Sequence, residues 1–297
     1  MNVVVAGGTG FIGTRLCREL ATRNVNVTAL SRSGAAAELP ASVGTATADV
    51  TEYEGLPAVL EGADVVVNLV ALSPLYRPRG GEERQQTVHV GATRNLVRAA
   101  TECGIPKIVQ MSGLGADTEA PTAHLRAKGQ AEGVVTAADR DWVILRPSVV
   151  VGEGDEFIEF IQRVTTPYVT ALPGGGRTQF QPIWVGDLVE LVATAITDGA
   201  HDGEVYELGG PEVHSLAAVT RLYYEMKGQS VRIVPIPMPL AKVGFTIAKF
   251  LPLVPFGPDQ YRALGVKNTV STNDITAFDR QPADLTTLEE HLERRLA

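Results

Sequence analysis

Three glycines near the start of the chain have the spacing of a phosphate-binding turn. They follow an apolar run at residues 3–6 and precede a helical pattern at residues 12–22. Glycine lets the backbone turn tightly and approach a diphosphate, and the third glycine lets the helix pack closely against the strand. The free N–H groups at the helix N terminus would then meet the phosphates, although a glycine-rich turn without a ligand is the alternative. We expect these residues to hold a dinucleotide: Gly7, Thr9, Gly10, Phe11, Ile12 and Gly13.

The end of the second predicted strand indicates which dinucleotide would bind. NAD-binding proteins place Asp or Glu about 20 residues after the glycines, where the carboxylate binds the ribose 2′-hydroxyl. Here that place holds Ser31, Arg32 and Ser33. No carboxylate is present to repel a 2′-phosphate, and the Arg32 guanidinium can bind one through charge-assisted hydrogen bonds. The sequence therefore predicts NADP(H), with NAD(H) as the alternative if Arg32 is only a solvated surface arginine.

Apolar runs and helical patterns alternate through the first half of the chain. This alternation is typical of a parallel sheet covered by helices on both faces. The predicted strands lie at residues 3–6, 27–31, 45–48, 65–69, 108–112 and 143–146. The predicted helices lie at residues 12–22, 56–60, 88–103 and 123–137. Six strands with intervening helices predict an α/β fold with a doubly wound parallel sheet of the Rossmann type.

The pattern changes after Pro147. Turn signals dominate residues 152–181, and a helix is then predicted from about Asp187. Further predicted elements are a strand at 205–208, a helix at 215–227 and a strand at 230–235. We expect a dinucleotide-binding domain at residues 1–151, onto which residues 181–200 pack back. Residues 152–180 and 201–297 would form a smaller mixed α/β region for a substrate or partner.

Charge and composition exclude several classes of protein. The formal net charge is −8 and the chain has no run of Lys or Arg, so a nucleic-acid partner is not expected. Cys17 and Cys103 exclude a disulfide framework and favour a reducing compartment. The five histidines form no zinc-type pair, so no metal is expected. The chain opens directly into a predicted strand, and we therefore expect a cytoplasmic protein.

One apolar segment, residues 238–256, approaches the composition of a membrane-binding element. Its charges are Lys242 and Lys249, and prolines interrupt it. Such a segment could lie on the inner face of a membrane or against a respiratory complex. The alternative is a buried helix and loop of the smaller region.

Several motifs together resemble the extended or atypical branch of the short-chain dehydrogenase/reductase superfamily. They are the pattern Gly7-x-x-Gly10-x-x-Gly13, the pair Asp49-Val50, residues 62–71, Leu145-Arg146-Pro147 with Val151-Gly152, and residues 184–188. Within the superfamily, the chain is most similar to members grouped with the nucleotide-binding accessory subunit of respiratory complex I, and then to NmrA-like redox sensors. The resemblance implies that the following residues also contact the dinucleotide: Asp49, Val50, Leu69, Val70, Ala71, Met111, Ser112, Lys128 and Pro147.

The resemblance also implies a catalytic set, from which this chain departs. Enzymes of the superfamily use a Ser and a Tyr-x-x-x-Lys pair, because hydride transfer to a carbonyl leaves an oxyanion that needs a proton donor. Ser112 and Lys128 match this set, but His124 stands in the place of the Tyr. The chain has no Tyr between Tyr76 and Tyr168. His89 also departs, since it stands where extended members often carry Asn.

The sequence leaves three interpretations of His124 open. In the first, its imidazole takes the donor role of the missing Tyr, with a pKa lowered by Lys128. In the second, the protein binds NADP(H) without turnover. In the third, His124 is a helix-surface residue without a role. Lys128 would bind the nicotinamide ribose in the first two interpretations.

Further residues could line a substrate pocket. The loop at residues 73–83 carries Tyr76, Arg77 and Arg79 and leaves the fourth predicted strand at the edge where substrates enter such sheets. The arginines could bind an anionic group or simply be solvated. Phe157, Phe160 and Phe180 could line an apolar cavity or belong to an ordinary core.

These observations leave two classes of function open. One is an NADP(H)-dependent oxidoreductase or epimerase-like enzyme that acts on a small carbonyl, a lipid-like or quinone-like molecule, or a sugar nucleotide. The other is a non-catalytic accessory or sensor protein that binds the cofactor and associates with a respiratory or quinone-related membrane system. The Ser112 and Lys128 pair favours the enzyme, and His124 favours the accessory protein.

Overall fold

The computed structural model describes residues 1–34, 38–248 and 256–296. Its strands are β1 (Asn2–Ala6), β2 (Asn26–Ser31), β3 (Gly44–Thr47), β4 (Val65–Asn68), β5 (Lys107–Met111), β6 (Asp141–Pro147), β7 (Val150–Val151), β8 (Tyr168–Pro173), β9 (Gln179–Phe180), β10 (Ile183–Trp184), β11 (Glu204–Leu208), β12 (His214–Ser215) and β13 (Val231–Ile236). Its helices are α1 (Phe11–Thr22), α2 (Leu56–Leu60), α3 (Gly81–Gln85), α4 (Ala92–Glu102), α5 (Ala123–Thr136), α6 (Glu156–Val164), α7 (Val185–Thr197), α8 (Leu216–Met226), α9 (Met238–Ala248), α10 (Pro258–Ala263) and α11 (Leu288–Leu296). A π-helical turn, Gln86–Gly91, joins α3 to α4.

Seven strands form one parallel sheet in the order β11-β6-β5-β4-β1-β2-β3. The chain moves outward in one direction through β1, β2 and β3, and then returns to the other side of β1 with β4. This reversal is the point at which doubly wound sheets open a crevice at the carboxyl ends of their strands. The predicted α/β fold with a Rossmann-type sheet is therefore confirmed.

The alternation of side chains along the strands builds a core on each face of the sheet. Val3 and Val5 point to one face, where α1 and α7 pack, and Val4 and Ala6 point to the other, where α2 and α4 pack. Because both faces are buried, the central strands are continuously apolar, as the sequence pattern indicated. Residues 181–200 contribute to the first of these cores through α7.

The edge strand β11 differs from the predicted arrangement. Residues 204–208 were expected in the smaller region, but β11 pairs with β6 and adds a seventh strand to the six expected ones. The side chains of Tyr206 and Leu208 enter the first core. A short alternating segment shows that one face is buried but does not identify the neighbouring strand, so only the folded chain reveals this pairing. The proposed division of the chain at residues 151 and 201 stays a prediction.

The remaining residues build a smaller unit beside the carboxyl edge of the sheet. Strands β8 and β13 pair in parallel, and α6, α8 and α11 enclose a third apolar core with members such as Phe157, Val219 and Leu292. Asn268 ties the later part of the chain to the end of β6, because its side-chain oxygen accepts from the Val149 N–H at 2.8 Å.

The apolar segment at residues 238–256 is described in part. Its first eleven residues form α9, whereas residues 249–255 lie outside the described residues. Leu240, Val243 and Ile247 are exposed along α9. None of the helices in the described ranges combines the length and apolar character needed to cross a bilayer.

Candidate functional site

The glycine-rich turn joins β1 directly to α1. Gly7 has φ of 84°, a conformation that favours glycine, and its N–H donates to the Leu30 carbonyl at 2.9 Å. The Gly10 N–H donates to the Gly7 carbonyl at 3.0 Å, which closes the turn. Gly10 is the N-cap of α1 and has no side chain to cap the first N–H groups. The turn therefore presents the positive end of the α1 dipole, and no acidic side chain in the first turn of this helix neutralises it.

Two further glycines allow the close packing behind this turn. A Cβ added to Gly13 would lie 2.1 Å from the Gly7 carbonyl oxygen, so α1 could not pack as it does with any other residue there. A Cβ added to Gly8 would lie 2.7 Å from the Ala29 Cβ on β2. The role of Gly8 was not predicted. The sequence feature that could have indicated this role is the pair of glycines immediately after β1.

A cleft of about 1060 Å³ opens beside the turn, along the carboxyl ends of the central strands. Of the predicted site residues, the following line it: Gly7, Gly10, Phe11, Ile12, Gly13, Leu69, Ala71, Met111, Ser112, His124, Lys128 and Pro147. The following lie outside its lining: Thr9, Ser31, Arg32, Ser33, Asp49, Val50 and Val70. Residues widely separated in sequence are thus brought to one cleft, while those at the end of β2 lie apart from it.

The residues at the end of β2 are polar and lie outside the lining of the cleft. Ser31 Oγ accepts from the Gly34 N–H at 3.1 Å, and the Arg32 and Ser33 side chains are exposed. Burial acts to raise the pKa of the Asp49 carboxyl, but hydrogen bonds from Thr51 and the charge of Arg32 outweigh it and leave that pKa lowered. The Arg32 guanidinium therefore lies near enough to Asp49 to act on it.

Asn68 holds the loop that follows β4. Its Oδ1 accepts from the Val70 N–H at 3.1 Å, and its Nδ2 donates to Gln110 on β5 at 3.0 Å and to Thr93 on α4 at 3.1 Å. The loop is thereby fixed beside Gly7, where an added Cβ would lie 3.4 Å from the Val70 nitrogen. Asn68 was part of a recognised motif, but this positioning role is visible only in the folded chain.

Ser112, which directly follows β5, lines the cleft together with His124 and Lys128 on α5. Ser112 Oγ and His124 Nδ1 are buried atoms without a hydrogen-bond partner in the described part of the chain. Lys128 is buried, and its Nζ donates to the Met111 carbonyl at 3.1 Å. Unpaired buried polar atoms are costly, so their presence at a cleft indicates groups that a ligand would satisfy. Together these side chains can stabilise negative charge that develops on a bound oxygen.

The charge states of these side chains follow from their burial. Burial, and secondly the charge of Lys128, lowers the pKa of His124 to about 3. Burial lowers the pKa of Lys128 to about 8, against the opposing effect of the Glu132 carboxylate one turn later on α5. At neutral pH the imidazole is therefore neutral, and the amine is mostly protonated. Glu132 is itself held by Arg146 on β6, through a pair of hydrogen bonds at 2.9 and 2.6 Å.

His89 joins this group, although no role was predicted for it. Its ring lies 5.0 Å from the His124 ring in an edge-to-face arrangement, and its Nε2 accepts from the Leu72 N–H at 3.4 Å. Burial, followed by the charges of Lys128 and His124, lowers the pKa of His89 to about 2. His89 lies in the π-helical turn before α4, and such turns occur frequently at functional sites.

The outer part of the cleft is apolar. Phe157, Phe160 and Phe180 all line it, and all three also pack in or against the third core, so they combine the two roles considered for them. Tyr76 does not line the cleft, but its ring packs against Phe160 at 5.9 Å. Arg77 lines the cleft, whereas Arg79 is exposed outside it.

The glycine cradle, the uncapped helix and the unpaired atoms of Ser112 and His124 fit a dinucleotide with a substrate beside it. A family model described as NAD(P)H-binding matches residues 7–166.

The chain is similar over most of its length to proteins from several organisms. A mitochondrial protein of Arabidopsis thaliana, NADH dehydrogenase (ubiquinone) 1 alpha subcomplex subunit 9, is 31% identical over 93% of this chain and 72% of its own length. An NAD(P)H azoreductase from Xenophilus azovorans is 28% identical over 82% of this chain and 80% of its own length. The crystal structure of Thermus thermophilus UDP-glucose 4-epimerase with NAD has a TM-score of 0.77 at 20% identity, covering 100% of this chain and 98% of that one. The structural likeness shows the shared fold.

Proposed function

Because the chain belongs to the NAD(P)H-binding family, we propose that it binds NADP(H) along the cleft, with the diphosphate at the turn between β1 and α1. The proposed dinucleotide contacts are the residues predicted from the sequence, including those that lie outside the lining of the cleft: Thr9, Ser31, Arg32, Ser33, Asp49, Val50 and Val70. The observation that supports the proposal is the absence of a Cβ at Gly7 and Gly10, which lets a diphosphate come close to the backbone. These glycines lie beside a helix N terminus that has no side-chain cap. Backbone N–H groups at such a terminus bind phosphate oxygens.

The preference for NADP(H) over NAD(H) rests on Arg32. Its side chain is exposed at the end of β2, and its charge contributes to lowering the pKa of the Asp49 carboxyl. A guanidinium there forms charge-assisted hydrogen bonds to a 2′-phosphate, which are stronger than a hydrogen bond to the neutral 2′-hydroxyl. Ser31 and Ser33 supply hydroxyl groups on either side of it.

We further propose an oxidoreductase reaction on a small carbonyl or quinone-like acceptor bound in the apolar outer part of the cleft. When bound, the reduced dinucleotide supplies a hydride to the acceptor. Ser112 Oγ and the neutral imidazole of His124 donate hydrogen bonds to the acceptor oxygen, where negative charge develops. Lys128, with a pKa of about 8, holds the proton that this oxygen takes up and also binds the nicotinamide ribose.

This assignment changes the role first considered for His124. An imidazole with a pKa of about 3 is almost entirely neutral at physiological pH, so it is a poor source of protons. A neutral imidazole N–H can still polarise a carbonyl oxygen, in the manner known for triosephosphate isomerase. His124 would therefore act as a hydrogen-bond donor, and the proton would come from Lys128.

A second candidate function is a non-catalytic accessory or sensor protein of a respiratory or quinone-related membrane system. It is favoured by the absence of a Tyr at position 124 and by the likeness to the Arabidopsis NADH dehydrogenase subunit. Leu240, Val243 and Ile247 on α9 would contact the membrane or the complex in this function. The protein would then lie on the cytoplasmic side of the membrane.

Calorimetric titrations with NADPH and NADH test the cofactor proposal. We expect NADPH to bind more tightly than NADH. Arg32→Ala should weaken the binding of NADPH by about 10- to 100-fold, because a charge-assisted contact to phosphate is lost, and should leave the binding of NADH unchanged. Arg94→Ala, which removes an exposed arginine on α4, is the matched control. Equal affinities for the two dinucleotides, unaffected by Arg32→Ala, would contradict the preference.

Consumption of NADPH with a panel of quinones, ketones and sugar nucleotides separates the two functions. We expect turnover of one acceptor class, reduced about 100-fold in His124→Ala, which is typical for the loss of one donor to a developing oxyanion. NADPH affinity should stay within a few-fold of the original in this variant. Tight NADPH binding without consumption across the panel would instead support the accessory function.

A further inference from the structure

A second cavity of about 310 Å³ lies between α1 and α11, and it shares no lining residue with the cleft. Its walls come from α1, the residues after β7, the start of α7 and the end of α11. The lining residues are Arg15, Glu153, Trp184, Val185, His291, Arg294 and Arg295. Three guanidinium groups and an imidazole thus surround one small cavity, outside the site described above.

The three arginines differ in how their charges are compensated. Arg295 pairs with the fully buried carboxylate of Asp155. Arg15 donates to the backbone carbonyls of Phe11 at 2.8 Å and Glu153 at 2.7 Å, neither of which carries a charge. Arg294 lies 5.6 Å from the Trp184 ring, and within the described ranges it forms neither a hydrogen bond nor an ion pair.

The acidic groups compensate part of this positive charge, because the charges of Glu153 and Asp155 act to raise the pKa of Arg15 and the charge of Arg294 acts to lower the pKa of Glu290. Asp155 is already engaged with Arg295 and with the N–H groups of Gly152 and Ile158. The Glu153 residue is exposed, so solvent screens its carboxylate. Among the described residues, the donors of Arg15, Arg294 and His291 that face the cavity therefore have no hydrogen bond to an acidic side chain.

His291 supplies an independent sign that something binds there. It is 4% exposed, it lines the cavity, and its Nε2 is a buried atom that lacks a hydrogen-bond partner in the part of the chain described. The nearest acidic oxygen, Asp155 Oδ2, is 4.0 Å away, which is beyond hydrogen-bond distance. Buried side-chain nitrogens in native proteins are generally paired, so this one points to a missing partner.

We propose that this cavity binds an oxyanion, namely the phosphate or carboxylate group of a small metabolite. Arg294 and Arg15 contact the anion as charged donors, and the His291 imidazole completes its coordination as a neutral donor. Guanidinium groups match the geometry of phosphate and carboxylate oxygens, which accounts for this choice of ligand class. The cavity exceeds the size of a lone phosphate ion, so the anionic group can carry a small organic part that packs on Trp184. The site stands independently of what occupies the cleft.

Trp184 provides a direct optical readout for this site. The chain has two tryptophans, so a Trp142→Phe variant leaves Trp184 as the single tryptophan, which is excited at a wavelength that the tyrosines do not absorb. Its fluorescence is measured during titration with sodium phosphate, and separately with sodium malonate, with ionic strength held constant by chloride. We expect a saturable change with at least one of the two anions, and the order of affinities then identifies the preferred oxyanion.

Variants in the same background assign the change to the cavity. We expect Arg294→Ala to weaken anion binding at least tenfold, and because this side chain is exposed, the variant should fold normally. Arg32→Ala should leave the affinity unchanged, since Arg32 belongs to the proposed dinucleotide site. The proposal is overturned if neither anion gives a saturable change. It is equally overturned if Arg294→Ala binds as tightly as its parent, or if Arg32→Ala abolishes the change.

Discussion

At the scale of residues, the charge of Lys128 affects both histidines beside it. The sequence indicated that Lys128 would lower the pKa of His124, because the two residues are one turn apart on a helix. In the structure burial makes the larger contribution to that lowering, and His89 shares it. Helical spacing thus predicted the neighbours, whereas the degree of burial, which sets the charge states, depends on how β5, α4 and α5 pack together.

The free energy of unfolding should carry a contribution from Lys128 that rises with pH. The pKa of its amine is about 8 in the folded chain against 10.5 for an ordinary lysine, so between these values only the unfolded chain keeps the proton. Stability then increases with pH across this window, by up to about 3 kcal/mol. Urea unfolding of the original protein and of the Lys128→Met variant, each at pH 7.5 and pH 10, measures this contribution.

We expect the difference in stability between the two proteins to move in favour of the original protein at the higher pH. Lys267→Met, which removes an exposed lysine, controls for general effects of lost charge. If Lys128→Met and Lys267→Met respond to pH in the same way, the amine of Lys128 is not held in the destabilised charged state described here.

At the scale of elements, the packing of α1 against the turn is the strictest requirement of the site. Gly13 faces the Gly7 carbonyl so closely that a single added carbon cannot fit without moving the helix. The sequence motif predicted this contact correctly, because the spacing of the glycines reflects a backbone geometry that local residues determine. The π-helical turn that carries His89 was not predicted, because one extra residue in a helix changes the spacing of its apolar residues too little to be recognised in the sequence.

Gly13→Ala should destabilise the protein by about 1–3 kcal/mol, as is usual for overpacking, and should also weaken dinucleotide binding. Gly133→Ala is its matched control, because Gly133 is an exposed position within α5 where an added Cβ meets nothing within 4 Å. This control should stabilise the protein by about 0.4–1 kcal/mol through the preference of alanine for helices. Thermal and urea unfolding measure both, and equal effects of the two substitutions would show that α1 tolerates displacement.

At the scale of the whole molecule, chain segments far apart in sequence complete the large sheet. β11 forms its edge, and α7 covers one face with several fully buried side chains, among them Leu188, Val192 and Ile196. Residues 274–278 add Ile275 and Phe278 to the same core. The first 151 residues therefore leave apolar surface exposed when the rest of the chain is removed.

We expect a fragment of residues 1–151 to lack a cooperative unfolding transition, because the loss of α7 and β11 uncovers one face of the sheet. The full chain should unfold cooperatively. Circular dichroism during urea unfolding compares the two. A fragment that unfolds with a sharp transition of its own would show that residues 1–151 form an independent domain that does not need the packing of residues 181–200 that the sequence pattern predicted.

The order of residues along the chain is enough to predict the glycine turn, the parallel sheet with helices on both faces, and Arg32 at the end of the second strand. These features depend on local spacing and on the period of apolar residues, which neighbouring residues in the chain encode. The folded chain was needed to show that β11 joins the large sheet, that Ser112 and His124 have unpaired atoms at the cleft, and that His291 lies among three arginines. These facts arise from long-range packing, because burial and the distance between charges depend on segments that meet only when the chain has folded.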